Sequence, residues 1–130
     1  DYGGRSVVIS GDSLVTEKIV ELSDGADVVL HDAMALQLVQ GMEAISRNAG
    51  NTRIATVLHD LQDYHATSAD LARLASEAKI GLLALYHLVP APRNAMASGA
   101  FKAGLPDGAL ITEDGMVISL PANSKEITVE

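Results

Sequence analysis

The 130-residue sequence contains no cysteine, few basic residues and no long apolar run. Without cysteine the chain can form neither disulfides nor thiolate metal sites, and it has no thiol nucleophile. Nine lysines and arginines stand against 17 acidic residues, and the resulting net charge of -8 argues against a protein whose main partner is a nucleic acid backbone. No apolar run approaches the roughly 18 residues of a membrane span, so we expect no membrane partner.

The residues that are present indicate a globular chain that is part of one domain. Hydrophobic residues make up 48% and charged residues 20%, which is enough apolar surface for a core. Residue 1 is Asp rather than Met, and residues 1–5 resemble a hairpin turn whose first strand would lie upstream. We therefore expect residues 1–130 to be a piece of a longer protein. The lack of cysteine and of a signal-peptide pattern favours the cytoplasm.

Hydrophobic patterning predicts an α/β fold. The apolar runs have the form of buried strands, and the first should be covered on both faces of its sheet. Helical patterns separate these runs, so the strands should be parallel. Thr67 and Asp70 have the spacing of a capping box at the start of one helix. The predicted strands are 7–9, 27–31 and 80–86, a terminal hairpin is predicted from 109–112 and 116–120, and the predicted helices are 14–22, 33–45, 52–61, 67–79 and 94–103.

Polar side chains capable of chemistry follow the predicted strands. Asp12 and Asp32 come just after the first two strands, His87 ends the third, and His65 lies in a loop before a helix. The carboxyl ends of parallel strands share one edge of a sheet, where ligands collect. Carboxylate and imidazole groups are suitable ligands for Zn²⁺, Mn²⁺ or Fe. The spacing of these residues matches no short metal motif, so histidines with purely structural roles remain the alternative at this point.

Three ordered stretches resemble the second half of the metallo-β-lactamase fold, in particular its ribonuclease Z-like and arylsulfatase-like hydrolases. The first two are residues 7–13 (VVISGDS) and 25–33 (GADVVLHDA). The third combines residues 64–67 (YHAT) with 85–90 (LYHLVP). The resemblance spans about residues 5–92. It implies an αββα sandwich of which this chain is the C-terminal half.

The resemblance also implies a role for each candidate residue. Asp12 would bridge two metal ions, most simply Zn²⁺ with Mn²⁺ or Fe as alternatives, and His87 would be a terminal ligand of one ion. His65 would donate a proton to the leaving group without binding metal. Asp32 stands where the family usually has Glu, and would be the carboxylate partner of His65. Ser13 replaces the usual Thr and keeps the hydroxyl.

One part of the family pattern is absent from this sequence. The first half of the fold carries a His-x-His-x-Asp-His cluster, and nothing here matches it. We therefore expect the N-terminal half of the same protein as a partner. The expected function is hydrolysis by a metal-activated water of a phosphodiester, a sulfate ester or a lactone, with a small-molecule ester favoured over nucleic acid. The small residues of 94–104 could line the pocket or form a homodimer contact.

Two other functions compete with this one. Residues 11–14 (GDSL) also match the signature of GDSL esterases, in which Ser13 would be the nucleophile. That mechanism needs an acid three residues before a histidine, and no histidine here has one. A metal-free interaction domain of the same fold is the other alternative. Among the remaining histidines, His31 is expected to be structural or to orient neighbours, and His59 is given no role.

Overall fold

The computed structural model describes residues 1–130 as a four-stranded parallel sheet flanked by helices, with a separate two-stranded sheet near the C-terminus. The order in the main sheet is β1-β2-β3-β4, and every neighbouring pair is parallel. This confirms the predicted α/β class. None of its helices combines the length and apolar character needed to cross a membrane. The elements are β1 (Val7–Ile9), α1 (Glu17–Ser23), β2 (Val28–Met34), α2 (Leu36–Asn48), α3 (Thr52–Asp60), a short 3-10 helix (Leu61–Asp63), α4 (Ser68–Glu77), β3 (Leu82–Val89), α5 (Ala95–Lys102), β4 (Leu110–Ile111), β5 (Ile118–Ser119) and β6 (Thr128–Val129).

The main core lies between the helices and one face of the central strands. Val29 and Ala33 of β2 contribute to it, together with Leu71 and Leu74 of α4 and Phe101 of α5. All five residues are fully buried. Burying a Leu or Phe side chain stabilises a fold by about 1.5–3 kcal/mol. This packing holds α4 against the sheet. The loop that contains His65 directly precedes α4.

The start of α4 is determined locally, as the sequence predicted. The Thr67 hydroxyl accepts the Asp70 backbone N–H at 3.2 Å, and the Asp70 carboxylate accepts the Thr67 N–H at 3.0 Å. This confirms the capping box. Both partners satisfy backbone donors that the first helical turn would leave free. The helix therefore begins immediately after the His65-Ala66 loop and holds that loop in place.

The expectation that β1 is covered on both faces is wrong for this chain. Val7 is 45% and Ile9 66% exposed, and β1 pairs only with β2. Val7 and Leu30 instead line an apolar groove of about 230 Å³ with residues of the C-terminal segment. A continuous apolar run shows that both faces are suited to burial. Whether a second layer covers them depends on elements outside the run.

The predicted terminal hairpin is also wrong. Leu110–Ile111 joins the main sheet beside β3, where the Thr112 N–H donates to the Leu85 carbonyl at 2.9 Å. Ile118–Ser119 pairs with Thr128–Val129 instead. The turn between the two predicted strands is local, whereas their pairing is decided by distant strands.

The second and third strands are longer than predicted. β2 runs through Asp32 to Met34, and β3 runs through His87 to Val89. Asp32 and His87 therefore each lie two residues before the last residue of their strand. Both remain at the carboxyl edge of the sheet, which is the edge that the sequence pointed to.

A buried ion pair joins the two ends of the chain to the sheet. The Arg5 guanidinium lies 3.2 Å from Asp27 Oδ1 and donates to the backbone carbonyls of Pro121 and Glu126 at 3.1 and 2.8 Å. The Ser6 N–H donates to Asp27 Oδ2 at 2.8 Å. The hydrogen bond from Arg5, reinforced by Ser6, lowers the pKa of Asp27 from 3.8 to about 2. One carboxylate thus anchors the N-terminal turn and, through Arg5, the C-terminal segment.

We expect Asp27→Asn to destabilise the protein at pH 7 and to change its acid sensitivity. Because the pKa of Asp27 is lower in the folded state, its stabilising effect is complete above about pH 4 and is lost as the pH falls towards 2. The difference in melting temperature between wild type and variant should therefore shrink from pH 7 to pH 2.5, measured by circular dichroism. Glu21→Gln, which removes an exposed carboxylate paired with Lys18, is the control and should change little. A difference that is the same at both pH values would contradict the role of Asp27.

Candidate metal centre

Three side chains predicted to act together meet at the carboxyl edge of the sheet. Asp12, His65 and His87 place one ligand atom each within 4.8 Å of one another. Asp12 Oδ1 lies 3.6 Å from His87 Nε2. The side chains of Asp12 and His87 are about half exposed, whereas His65 is buried. The group is therefore open to solvent at Asp12 and His87 and buried at His65.

Asp12 is positioned by a turn that begins where β1 ends. Gly11 has φ +66°, a left-handed conformation that glycine adopts without steric cost. On one side of the turn the Ser10 N–H donates to the Leu30 carbonyl at 3.0 Å, and on the other the Ser13 N–H donates to Asp32 Oδ1 at 3.3 Å. Both ends of the turn are thus attached to β2, and the Asp12 carboxylate is left facing outward.

His87 owes its position to a β-bulge. Asp32 pairs with Tyr86 and Ala33 pairs with Leu88, so His87 is the extra residue in β3. Its φ of +43° is a left-handed conformation that costs about 1–3 kcal/mol in a residue other than glycine. Bulges re-aim side chains at sheet edges and near active sites. Here the bulge turns the imidazole of His87 out of the sheet alternation and towards Asp12.

His65 is held from behind by Asp32. Asp32 Oδ2 lies 2.7 Å from His65 Nδ1 and also accepts the Ala66 N–H at 3.3 Å. A carboxylate is an acceptor only, so His65 Nδ1 carries the proton in this contact. That leaves Nε2 of His65 facing the shared site. The ring centroids of His65 and His87 are 5.3 Å apart.

Asp32 is fully buried and is surrounded by donors. His31, also fully buried, places Nδ1 3.0 Å from Asp32 Oδ1. Burial pushes the pKa of Asp32 upward, but the hydrogen bonds from His31 and His65 outweigh it, and the pKa lies below its ordinary value. The carboxylate is therefore ionised at neutral pH. It orients two imidazoles at once.

The donor set has the chemistry and the spacing of a metal site. Two ligand atoms on one tetrahedral ion, each about 2.1 Å from it, lie roughly 3.4 Å apart. The 3.6 Å between Asp12 and His87 is close to this value. The contact between His65 and Asp32 fits either a proton donor or a third metal ligand, because a metal-binding histidine also commonly donates its other N–H to a carboxylate. The chain itself supplies two or three ligands, fewer than the four of a closed zinc site.

Other residues singled out in the sequence fall outside this group. The Ser13 hydroxyl donates to the Leu14 carbonyl at 2.9 Å and has no histidine as a hydrogen-bond partner, unlike the nucleophile of a serine esterase. His59 is exposed on α3, 3.4 Å from Glu43. Tyr64, to which the sequence analysis assigned no role, has its ring 4.8 Å from that of His65. Its place next to His65 in the stretch 64–67 was the signal for it.

Known proteins similar to this chain include ribonucleases Z and a metallo-β-lactamase-fold structure. The ribonuclease Z of Mycobacterium avium is 32% identical over 95 residues, covering 70% of this chain and 29% of that protein. The ribonuclease Z of Mycobacterium tuberculosis H37Rv is 30% identical over 89 residues, covering 68% and 28%. The crystal structure of the metallo-β-lactamase fold protein YhfI from Bacillus subtilis matches with a TM-score of 0.55 and 20% identity, covering 88% of this chain and 40% of that one. No family model matches the sequence.

The chain has the metallo-β-lactamase fold and is ribonuclease Z-like. The resemblance seen in the sequence is thereby confirmed. The chain spans less than a third of the length of the ribonucleases Z that it matches. This agrees with a part of the fold rather than the whole.

We expect Asp32→Asn to loosen this edge of the sheet. The carboxamide keeps the size of the side chain but replaces one acceptor oxygen by a donor, which then faces other donors: His65 Nδ1 and the Ala66 N–H on one side, or the Ser13 N–H on the other. Leaving such buried donors without acceptors costs about 1–3 kcal/mol in the free energy of unfolding, to be measured by urea denaturation. Asp63→Asn, an exposed substitution two residues before His65, is the control. A variant within about 0.5 kcal/mol of wild type would show that Asp32 does not hold the loops together.

Proposed function

We propose that the protein is a metal-dependent hydrolase that acts on an ester-type substrate with an activated water. The observation that carries the proposal is the convergence of Asp12 and His87 at one open edge, with His65 beside them and Asp32 behind it. Bound Zn²⁺, Mn²⁺ or Fe supplies Lewis acidity and lowers the pKa of water to near neutrality. The family resemblance and the related ribonucleases Z support the same reaction class.

Each of the four residues has a defined task in this proposal. Asp12 has two carboxylate oxygens and can ligate two ions. His87 can ligate one ion, through Nε2. His65 donates the proton on Nε2 to the leaving-group oxygen as the ester bond breaks and the bond to the water oxygen forms. The water's own proton passes to solvent, and His65 is reprotonated from solvent. Asp32 keeps the ring of His65 oriented through its contact with Nδ1.

The remaining ligands are proposed to come from the N-terminal half of the same protein. Two observations support this: the chain covers only 29% of a related ribonuclease Z, and it contains no His-x-His-x-Asp-His cluster. The exposed face around Val7 and Ile9 is apolar, as expected of a sheet that receives a second layer. The absence of cysteine from these 130 residues favours the cytoplasm.

A small-molecule ester is the favoured substrate, and RNA is the second candidate. The names of the related ribonucleases Z favour RNA. The net charge of -8 favours a small molecule, because a polyanion is bound through clusters of lysine and arginine. Comparing the hydrolysis of small aryl esters with the cleavage of a precursor tRNA by the full-length protein separates the two.

We expect Asp12→Ala to abolish hydrolysis in the full-length protein while leaving it folded. Losing a ligand shared by two ions removes several kcal/mol of transition-state stabilisation, which corresponds to a fall in kcat/KM of at least about 10³-fold. Metal content, measured by elemental analysis, should fall in the variant. The side chain is half exposed, so the melting temperature should stay close to that of the metal-free wild type.

The same measurements distinguish the competing functions. Chelation should remove the activity of wild type, and Zn²⁺ or Mn²⁺ should restore it. A wild-type protein without bound transition metal would refute the proposal and favour a metal-free interaction domain. Labelling of Ser13 by a serine-directed phosphonate, with activity that resists chelators, would favour the esterase.

His65→Asn tests whether this residue is a proton donor rather than a ligand. Losing a general acid lowers kcat by about 10²–10⁴-fold, and the metal content should remain that of wild type. Substrates with a very acidic leaving group need less protonation, so the loss should be smaller for a nitrophenyl ester than for an alkyl ester. His59→Asn, on the exposed face of α3, is the control and should leave both quantities unchanged. A matching loss of metal and activity would make His65 a third ligand and contradict its role as donor.

A further inference from the structure

His31 is a fully buried imidazole that the proposed reaction does not use. It lies on β2 immediately before Asp32 and pairs in register with Leu85 of β3. Its Nδ1 lies 3.0 Å from two oxygens of Asp32, the backbone carbonyl oxygen and Oδ1. Because the Asp32 carboxylate is ionised, both oxygens are acceptors, and the Nδ1 of His31 therefore carries the proton. All polar contacts of this side chain are thus with the residue that holds His65.

The second ring nitrogen of His31 is unpaired. Nε2 is shielded from solvent, and no group of the protein forms a hydrogen bond with it. A buried polar atom without a partner destabilises a fold, and an apolar side chain of similar size would avoid this cost. Space filling alone therefore does not account for an imidazole at this position. The group that an imidazole supplies here, and an apolar side chain does not, is the Nδ1–H donor.

The two oxygens of the Asp32 carboxylate face different donors. Oδ2 lies 2.7 Å from His65 Nδ1. Oδ1 has its shortest contact, 3.0 Å, with His31, whereas the Ser13 N–H and the Ser10 hydroxyl lie at 3.3 and 3.5 Å. The last torsion of an aspartate side chain has a broad range of allowed angles. A close donor on Oδ1 therefore fixes the plane of the carboxylate and the direction in which Oδ2 faces His65.

We propose that His31 is a positioning residue for the proton donor: its Nδ1–H fixes the Asp32 carboxylate, which in turn fixes the ring of His65. This inference rests on the proposed function, because the step that it affects is protonation of the leaving group by His65. His31 is fully buried, so it acts through Asp32 and does not touch the substrate. Without its donor the carboxylate is free to rotate, and the Nε2–H of His65 loses its alignment with the leaving-group oxygen.

The test removes and restores the donor at residue 31 in the metal-loaded, full-length protein. His31→Leu and His31→Met fill the space without a donor, and two such variants are made so that the test does not depend on one of them folding. His31→Asn places an amide nitrogen where Nδ1 lies. Met34→Leu, a buried substitution on the same strand that removes no hydrogen bond, is the control and should behave as wild type.

The substrates are methyl phenyl phosphate and methyl 4-nitrophenyl phosphate. In the donor-free variants kcat for the phenyl ester should fall by about 10- to 100-fold, the equivalent of one hydrogen bond to a charged group. The fall should be smaller for the nitrophenyl ester, whose leaving group needs less protonation. His31→Asn should recover most of the lost rate, and the metal content of all variants should equal that of wild type.

Combining variants separates positioning from a purely structural role. The double variant His31→Leu/His65→Asn should be no slower than His65→Asn alone, because the group that His31 positions is then already absent. Losses that multiply in the double variant would overturn the proposal. So would a loss that is equal for the two esters, a His31→Asn variant as slow as His31→Leu, or a loss of metal in both donor-free variants.

A second measurement keeps this inference distinct from the proposed function. Failure of the wild type to hydrolyse either ester would count against the hydrolase, and the contact itself is then followed by proton NMR. The Nδ1–H of His65, bonded to a buried carboxylate, should exchange slowly with solvent. Its exchange should be faster in both donor-free variants and slow again in His31→Asn. Exchange that is unchanged in the donor-free variants would refute the positioning role whether or not the protein is a hydrolase.

Discussion

The buried carboxylate of Asp32 is the interaction on which the geometry of the site depends. An ionised carboxyl group shielded from water is tolerated only when donors surround it. Here the donors come from separate parts of the chain: the Ser13 N–H after β1, and His65 with the Ala66 N–H before α4. Two loops are therefore drawn to one point of β2. Asp12 is adjacent to one of these donors in the sequence, and His65 is itself another.

The same arrangement explains why the candidate ligand side chains are both well placed and accessible. The backbone around Asp12 is fixed at Ser10 and Ser13, yet its carboxylate stays half exposed. His87 is fixed by strand pairing on both sides of its bulge, and its ring also reaches solvent. Helices that cover a parallel sheet leave the carboxyl ends of its strands open, which is why ligands collect there. The fold places the anchoring charge of Asp32 inside and the candidate ligand atoms of Asp12 and His87 outside.

Features that depend on residues close together in the sequence could be predicted, whereas features that depend on distant residues could not. The capping box at Thr67 and the alternation of strands and helices depend on neighbours a few residues apart, and both are confirmed. The exposure of Ile9, the pairing of Leu110–Ile111 with β3 and the bulge at His87 depend on partners far away in the sequence. Strand ends alone pointed to Asp12 and His87. The loop position of His65 was a weaker indication than the strand ends, because a loop residue has no register that fixes its position, and the family resemblance supported its place beside them.

The short side chain of Asp32 reaches His65 because backbone pairing brings the two residues close together. The family resemblance implies a Glu at this position, and Asp is shorter by one methylene group. In this chain β2 does not end at Asp32: it continues to Met34, whose N–H donates to the Ala66 carbonyl at 2.7 Å, and Met34 also forms a parallel bridge with Thr67. The loop that contains His65 is thereby hydrogen-bonded directly to β2. Backbone pairing brings His65 Nδ1 to 2.7 Å from Asp32, so the contact that a longer Glu could make by reach is made by Asp through proximity.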